Sequence, residues 1–247
     1  MEFGRAVQDM KGIILAAGRG SRLGDATEAL PKPLMPVGDK VCIDFAITAL
    51  RPVVSEIIVV TGYRAESVEA HLAAAWSGAP LISVRNADLE AGNLTSLRAG
   101  RPLIEAGAFI VTNADHLFPE DMYTGHFKAD PTSVRIACEK SRPILDDEMK
   151  VVDRDGRLAA ISKTLPTYDG AYIGTTAVGT DAAGSYWSAF DRVHAAKDLR
   201  TASVEMVLDE LAASGTDSPR VCWIEGLKWF EVDTQEDLAI ARKGLVR

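Results

Sequence analysis

The chain has 247 residues and a formal net charge of −8, from 27 Lys and Arg against 35 Asp and Glu. With 47% hydrophobic and 25% charged residues, its composition is that of a globular protein and not of a disordered one. The acidic balance disfavours nucleic acid and anionic membrane surfaces as partners, because both are bound by clustered Lys and Arg. It leaves open a small phosphorylated ligand held at one local positive site.

The first half of the chain alternates apolar strands with helices. We predict strands at 12–17, 56–62, 81–85 and 108–115, and helices at 41–50, 65–75 and 94–104. The strands are rich in Ile and Val over their whole length, as strands buried on both faces are. The pattern favours an α/β fold with a Rossmann-like, doubly wound, mostly parallel sheet, whose ligands bind beyond the carboxyl ends of the strands.

The second half is less regular. Asp155-Gly156 stands between two short runs, 149–153 and 157–163, and predicts an antiparallel hairpin. The remaining predicted elements are a strand at 172–179, helices at 183–195 and 202–214, a strand at 220–225 and a helix at 234–243. Because the sequence shows no repeat and no linker, we expect a tail over residues 1–10 and one domain over 11–247 with a small antiparallel appendage.

Cysteine usage and apolar runs bear on location. Cys42, Cys138 and Cys222 lack Cys-x-x-Cys spacing, so we expect reduced, mostly buried thiols and neither a disulfide framework nor a zinc site. The first ten residues contain Glu2 and Asp9 and no apolar core, which argues against an ordinary signal peptide. No apolar run approaches the roughly 20 residues that span a bilayer. We therefore expect a cytoplasmic protein without membrane insertion.

A glycine loop, Gly18-Arg19-Gly20-Ser21-Arg22-Leu23, follows the first predicted strand, where a dinucleotide fingerprint would stand. Leu23 occupies the sixth position, however, and prolines at 31, 33 and 36 exclude the long helix that would receive a pyrophosphate. The loop also lacks the Gly-Lys-Ser/Thr ending of a P-loop. A dehydrogenase is therefore disfavoured.

The same residue types suit phosphate groups. Glycines let the backbone approach oxyanions closely, and the guanidinium groups of Arg19 and Arg22 match phosphate oxygens. Lys32, fixed between Pro31 and Pro33, would meet another phosphate at a defined place. A tight turn with solvated arginines is the alternative explanation of the glycines.

Residues 15–23, Leu-Ala-Ala-Gly-Arg-Gly-Ser-Arg-Leu, and 31–34, Pro-Lys-Pro-Leu, resemble the signature of nucleotidyltransferases that make NDP-sugars and CDP-alcohols. The resemblance extends to Asn113-Ala114-Asp115 and Glu231-Val232-Asp233-Thr234, and it covers the chain from Gly12 to Leu245. It implies the nucleotide-diphospho-sugar transferase fold, with a nucleotide-binding half over about 11–130 and an acceptor-binding half over about 131–247. It also implies Mg²⁺ held by Asp115 and Asp233, because Mg²⁺ takes carboxylate oxygens. Taken alone, Asp233 would equally suit the start of the helix that follows it.

On this resemblance, the reaction transfers a nucleotidyl group from an NTP to a phosphorylated acceptor and releases pyrophosphate. The acceptor phosphate is already ionised, so no general base is needed and catalysis rests on positioning and charge. The implied catalytic residues are Arg22, Lys32, Asp115 and Lys163. The implied nucleotide contacts are Leu15, Ala16, Ala17, Gly18, Arg19, Gly20, Ser21, Arg22, Gly92, Asn93 and Asn113, and the implied acceptor contacts are Lys163, His116 and Trp229.

Residues 86–97 bear on the acceptor. Their Gly-Asn-x-x-Ser-Leu turn, followed by Asn113-Ala114-Asp115-His116, resembles small cytidylyltransferases acting on inositol phosphate, phosphocholine or phosphonates. We expect CTP as the donor and inositol-1-phosphate as the first choice of acceptor, although Asn113 and Glu231 depart from the family pattern. A sugar-1-phosphate uridylyl-, guanylyl- or thymidylyltransferase is the alternative within the class, and a non-catalytic nucleotide-binding regulatory protein is the alternative outside it. The oligomeric state, including a homo-oligomer, stays open.

Overall fold

The structure is a computed structural model that describes residues 10–24, 27, 30–215 and 217–245. The expected N-terminal tail, 1–10, lies outside the described residues apart from Met10. The strands are β1 (Lys11–Ala16), β2 (Pro36–Val37), β3 (Lys40–Val41), β4 (Glu56–Thr61), β5 (Leu81–Arg85), β6 (Phe109–Asn113), β7 (His116–Leu117), β8 (Val134–Glu139), β9 (Lys150–Arg154), β10 (Arg157–Ser162), β11 (Gly170–Val178), β12 (Arg220–Trp223) and β13 (Phe230–Glu231). The helices of at least two turns are α1 (Cys42–Leu50), α2 (Ala65–Ala75), α3 (Asn93–Ile104), α4 (Ala183–Ala196), α5 (Val204–Ser214) and α6 (Gln235–Leu245).

Nine of these strands form one sheet in the order β5-β4-β1-β6-β11-β8-β12-β10-β9. The first four are parallel neighbours, with Ile13 opposite Ile58 on one side and Val111 on the other. Within the described residues, β10 and β11 run against the other seven strands. The predicted doubly wound, mostly parallel sheet is therefore confirmed.

Helices cover both faces of the sheet, which explains why its first strands are apolar throughout. Ile13 and Leu15 of β1 point to the core shared with α3, α4 and α5, whereas Ile14 and Ala16 point to the core shared with α1 and α2. Successive strand residues face opposite sides, so a continuous apolar run is what two buried faces require. This arrangement leaves the carboxyl ends of β1 and β6 as an open edge beside the glycine loop.

The second half of the chain extends the same sheet. The predicted hairpin is present as β9 and β10, and its turn residues Asp155 and Gly156 have φ of 53° and 77°, as a type I′ turn requires. The hairpin is continuous with the large sheet, since β9 also pairs with β11.

β8, in the middle of the sheet, falls outside the predicted elements. Arg135 interrupts its apolar run, and the structure accommodates that side chain by a contact of its Nε with Cys222 Sγ at 3.1 Å on the neighbouring strand. Two short pairs, β2 with β3 and β7 with β13, make separate two-stranded sheets. In the described part of the chain, no helix is long and apolar enough to cross a membrane.

Candidate functional site

The glycine loop begins where β1 ends. Gly20 has a φ of 68°, the left-handed conformation that a side chain would disfavour, and a short 3₁₀ turn over Ser21–Leu23 follows. A Cβ on Gly20 would press on the aliphatic stem of Lys32, which lies in a second 3₁₀ turn, Lys32–Leu34. The loop and the Pro-Lys-Pro segment therefore pack closely together.

The two predicted metal carboxylates are brought together by a small two-stranded sheet. β7 pairs with β13, so that His116 lies opposite Glu231, and the Val232 amide donates to the Asp115 carbonyl at 3.0 Å. Asp115 directly precedes β7, and Asp233 follows β13 by two residues. Their side chains consequently meet beside Lys32.

Lys32 is a buried cation between these two carboxylates. Its Nζ donates to Asp115 Oδ2 at 2.5 Å and to Asp233 Oδ1 at 2.6 Å. Burial alone would lower the pKa of Lys32, but the charges of Asp115 and Asp233 raise it well above its usual value. Burial would likewise raise the pKa of Asp115, whereas the charge of Lys32 and the hydrogen bond from His116 hold it well below its usual range. Lys32 and Asp115 are therefore ionised at neutral pH.

Arg22 approaches Asp233 from the glycine loop. One of its guanidinium nitrogens lies 2.8 Å from Asp233 Oδ2, and another lies 3.6 Å from Asp147 across the cleft. Its side chain remains 56% exposed, so it has room to turn toward an incoming anion. Arg22, Lys32, Asp115 and Asp233 thus form one connected charge cluster.

His116 completes the cluster on the side away from Lys32. Its ring is buried, stacks on Trp229 with centroids 5.6 Å apart, and its Nδ1 lies 2.8 Å from Asp115 Oδ1. Burial alone would lower the pKa of His116, but the charge of Glu231, 4.0 Å away, and the bond to Asp115 raise it. Burial, with the charges of Asp115 and Asp233, outweighs His116 and raises the pKa of Glu231 to about 7.

The space for the His116 ring comes from a glycine in the neighbouring strand. Gly174, in β11, has a φ of 75° and lies where the pairing of β11 with β8 shifts register between Tyr172 and Thr176. A Cβ on Gly174 would overlap the His116 ring. The bulge therefore determines the position of His116 and, through it, of Asp115.

A cleft of about 1360 Å³ runs between the two halves of the chain, and a recess of about 240 Å³ adjoins it under the glycine loop. The predicted residues that line the cleft are Leu15, Ala17, Gly18, Arg22, Asn93, Asn113, Asp115, His116, Lys163, Trp229 and Asp233. Ala16, Gly20, Ser21 and Lys32 line the recess. The structure thus brings most of the predicted site residues to one concavity.

Two predicted nucleotide contacts lie outside the cleft and the recess, and a third also accepts a hydrogen bond from α5. The guanidinium of Arg19 lies 5.5 Å from the centroid of the Tyr63 ring, outside the walls of the cleft and the recess. Gly92 packs against Ala202 and is likewise not part of these walls. Asn93 lines the cleft, but its Oδ1 also accepts the Val204 amide at 2.9 Å and so caps α5.

A polar network lies behind Trp229 and was not predicted from the sequence. Arg142 pairs with Glu139 at 3.0 Å and with Glu148 at 2.6 Å, and Glu139 also accepts the Trp229 indole N–H at 2.9 Å. Spacings such as Glu-x-x-Arg occur on many protein surfaces, so no sequence signal marks these residues. The network fixes the ring that in turn supports His116.

Asn86 is a second missed residue. It is buried, and its amide donates to the hydroxyls of Thr95 and Ser96 at 3.1 Å each, while its Oδ1 accepts the Asp88 amide. These bonds shape the part of the cleft wall formed by residues 86–96.

The carboxylates fit a magnesium ion whose remaining coordination positions are filled by water and by phosphate oxygens of the substrate. Asp115 and Asp233 offer hard carboxylate oxygens, and both already contact the same cationic nitrogen. The described residues include no group of three or more His, Cys, Asp or Glu side chains arranged to hold a metal on their own. Mg²⁺ commonly binds through one or two carboxylates, with water and phosphate oxygens supplying the rest.

Comparison with solved structures supports the fold that the resemblance implies. The inositol-1-phosphate CTP transferase from T. maritima superposes with a TM-score of 0.77 over 98% of this chain and 99% of its own, at 21% sequence identity. The nucleotide-diphospho-sugar transferase fold is therefore confirmed.

Two sequence relatives cover nearly the whole chain. A bifunctional IPC transferase and DIPP synthase of Archaeoglobus fulgidus is 30% identical over 245 residues, which are 99% of this chain and 45% of that protein. A CMP-5′-(3-aminopropyl)phosphonate synthase of Streptomyces rubellomurinus is 28% identical over 92% of this chain and 37% of its own length. The chain spans about half the length, or less, of these curated relatives. The sequence profile of the MobA-like NTP transferase domain matches residues 12–167, and the chain therefore belongs to this family of nucleotidyltransferases.

Proposed function

We propose that this protein transfers a cytidylyl group from CTP to a small phosphorylated acceptor and releases pyrophosphate. The observation that carries the proposal is the buried Lys32 ammonium, held between Asp115 and Asp233 next to an amide-lined glycine loop. A fixed cation beside two metal-type carboxylates is suited to a reaction between anions. The cleft of about 1360 Å³ also has room for a nucleotide and an acceptor together.

In the proposed reaction, an oxygen of the acceptor phosphate attacks the α-phosphorus of CTP. A new P–O bond forms as the bond from the α-phosphorus to the bridging oxygen breaks, and that oxygen leaves with pyrophosphate. Lys32 stabilises negative charge between the α-phosphate and the acceptor, and Arg22 exchanges its contact with Asp233 for the β- and γ-phosphates. Amides of residues 18–21 cradle the same phosphates.

Asp115 and Asp233 are the residues that would hold Mg²⁺. When bound, the ion supplies charge neutralisation on the phosphates. Lys32 and Asp115 are already ionised, and Lys32 contacts both carboxylates, so little rearrangement of protein charges is needed before the reaction.

The acceptor half supplies a second cation and an aromatic wall. Lys163 is exposed at the end of β10 and faces the cleft, where we assign it to the acceptor phosphate. His116 and Trp229 stack on each other, and we assign them to the wall against which the rest of the acceptor lies. Asn113 and Asn93, also in the cleft, are assigned to the nucleotide.

The choice of substrates rests on the resemblance and on the relatives together. The names of the relatives include an inositol-1-phosphate CTP transferase and a CMP-phosphonate synthase, which supports CTP as the donor. Inositol-1-phosphate remains the first choice of acceptor, with phosphocholine and phosphonates next. Sugar-1-phosphates with UTP, GTP or dTTP are the alternative, and the location and oligomeric state stay predictions.

A pyrophosphate-release screen tests the proposal. Each of CTP, UTP, GTP and dTTP is combined with inositol-1-phosphate, phosphocholine, an aminoalkylphosphonate or a sugar-1-phosphate, with Mg²⁺. We expect release with CTP and one of the first three acceptors. Release with another nucleotide and a sugar-1-phosphate would favour the alternative within the class, and tight nucleotide binding without release from any pair would favour the regulatory one.

Lys163→Ala tests the acceptor assignment. We expect the KM for the acceptor to rise about ten-fold or more while the KM for CTP stays within about two-fold, because Lys163 touches only the acceptor. Lys197→Ala is a suitable control, since it removes another lysine that lines the same cleft. Equal increases in both KM values would contradict the assignment.

A further inference from the structure

Lys150 is a buried lysine to which the proposed reaction gives no task. It is the first residue of β9 and is 6% exposed. Its Nζ donates to three backbone carbonyls, those of Leu145 at 3.1 Å, Asp146 at 2.9 Å and Lys163 at 3.0 Å. Among the residues that the structure describes, the hydrogen-bond partners of this ammonium include no carboxylate.

A charged ammonium is unfavourable in a buried position unless it makes compensating interactions. Burying a charged group costs free energy unless its donors are satisfied, and the three donors of a lysine here meet three acceptors. An apolar side chain of the same length would fill the volume without that cost, but it would leave the three carbonyls without a common donor. The ammonium therefore serves to hold backbone segments at fixed positions.

The three carbonyls lie in two backbone segments, and the first of these borders the cleft. Leu145 and Asp146 belong to residues 141–149, which we call the rim loop and of which Leu145, Asp147 and Glu148 line the cleft. Asp147 of this loop faces Arg22 at 3.6 Å across the cleft. The position of the rim loop relative to Arg22 consequently sets the width of the cleft entrance opposite the glycine loop.

The second segment carries the lysine assigned to the acceptor phosphate. Lys150 is paired with Ser162 in the hairpin, so its side chain reaches the carbonyl of the next residue, Lys163. Lys163 follows the last residue of β10, where the strand pairing no longer holds the backbone. The bond from Lys150 provides the missing restraint.

We propose that Lys150 is a positioning residue that acts through the Lys163 backbone to form the seat of the acceptor phosphate and that also holds the rim loop in place. The inference rests on the proposed function, because it takes Lys163 as the acceptor ligand. It predicts an effect on acceptor binding that is separate from nucleotide binding, since the nucleotide phosphates are assigned to the glycine loop on the other wall.

Steady-state kinetics test the proposal on the full chain. Lys150→Met keeps an unbranched side chain, shorter by the terminal nitrogen, and removes its donors. We expect the acceptor KM to rise about ten-fold while the CTP KM stays within about two-fold. Lys150→Arg keeps donors and should recover part of the loss. Lys140→Met, just before the rim loop and exposed, is the matched control and should leave both KM values unchanged.

A double variant tests whether Lys150 acts through Lys163. If it does, Lys150→Met adds less than about two-fold to the acceptor KM of Lys163→Ala, whereas independent effects would multiply. Multiplying effects, or equal rises of both KM values in Lys150→Met, would overturn the proposal.

Hydrogen exchange gives a readout that does not depend on turnover. The amide of Leu145 donates to Glu148 Oε2 at 2.6 Å, and that of Glu148 donates to the Leu145 carbonyl. Because Lys150 holds the same carbonyl, rim-loop peptides should exchange about ten-fold faster in Lys150→Met. Peptides of α4 should exchange at an unchanged rate. If the wild-type chain releases no pyrophosphate from any pair, the proposed function fails while this measurement still reports on Lys150. Unchanged rim-loop exchange refutes the positioning role. If Lys150→Met does not fold, the KM values and the hydrogen exchange of Lys150→Arg decide instead.

Discussion

Gly174→Ala probes how the sheet shapes the site. The substitution is destabilising for two reasons. The φ of 75° costs an alanine about 1–2 kcal/mol. The new Cβ also overlaps the His116 ring, which costs about 1–3 kcal/mol because the surrounding core is closely packed. We expect a total loss of about 3 kcal/mol in the free energy of unfolding. For a chain of this size, about 2–4 °C per kcal/mol gives a fall in Tm of roughly 6–12 °C.

Calorimetry with two companion variants separates the penalties. Gly184→Ala, in the first turn of α4, has no atom within 4 Å of the added Cβ, so we expect no loss or a gain of up to about 1 kcal/mol. In a His116→Ala background the overlap is removed, and Gly174→Ala should then cost only the 1–2 kcal/mol or so of backbone strain. Equal costs in both backgrounds would refute the claim that β11 positions His116.

Three further predictions concern the site and the thiols. Lys32→Met should lower kcat/KM by about 10³-fold in the pyrophosphate assay, because it removes the cation between donor and acceptor phosphates; a loss under ten-fold would exclude that role. Asp115→Asn should abolish turnover while circular dichroism shows an intact fold, and near-normal turnover at saturating Mg²⁺ would contradict the metal assignment. Iodoacetamide at pH 8 should modify Cys222 first, since burial raises the pKa of Cys42 to about 12 and that of Cys138 well above its usual value; peptide mass spectrometry showing equal modification would contradict this.

Several elements were predictable from local pattern alone. The run Ile13-Ile14-Leu15 has no polar position, and this excludes a strand with one wet face. Asp155-Gly156 has the residue types that tolerate positive φ, so the hairpin turn could be located without any tertiary information. In both cases the structure depends on the properties of residues that are adjacent in the sequence.

The position of β8 was not predictable in this way. Arg135 makes its run look like a surface segment, and only the neighbouring strand, with Cys222 Sγ 3.1 Å from Arg135 Nε, explains why it lies inside the sheet. Two-residue strands such as β7 and β13 carry no periodicity at all, so their pairing is visible only in three dimensions.

For the site, the order of residue types along the chain shows which groups are present: a glycine loop, a lysine between two prolines and two carboxylates after apolar runs. Their arrangement depends on the folded chain, because the β7–β13 pair brings Asp115 and Asp233 to either side of Lys32. The supports of the site, Gly174 behind His116 and Lys150 beneath Lys163, also depend on contacts between distant segments. Such contacts are selected by packing and hydrogen-bond satisfaction over the whole core, which leave no local mark in the sequence.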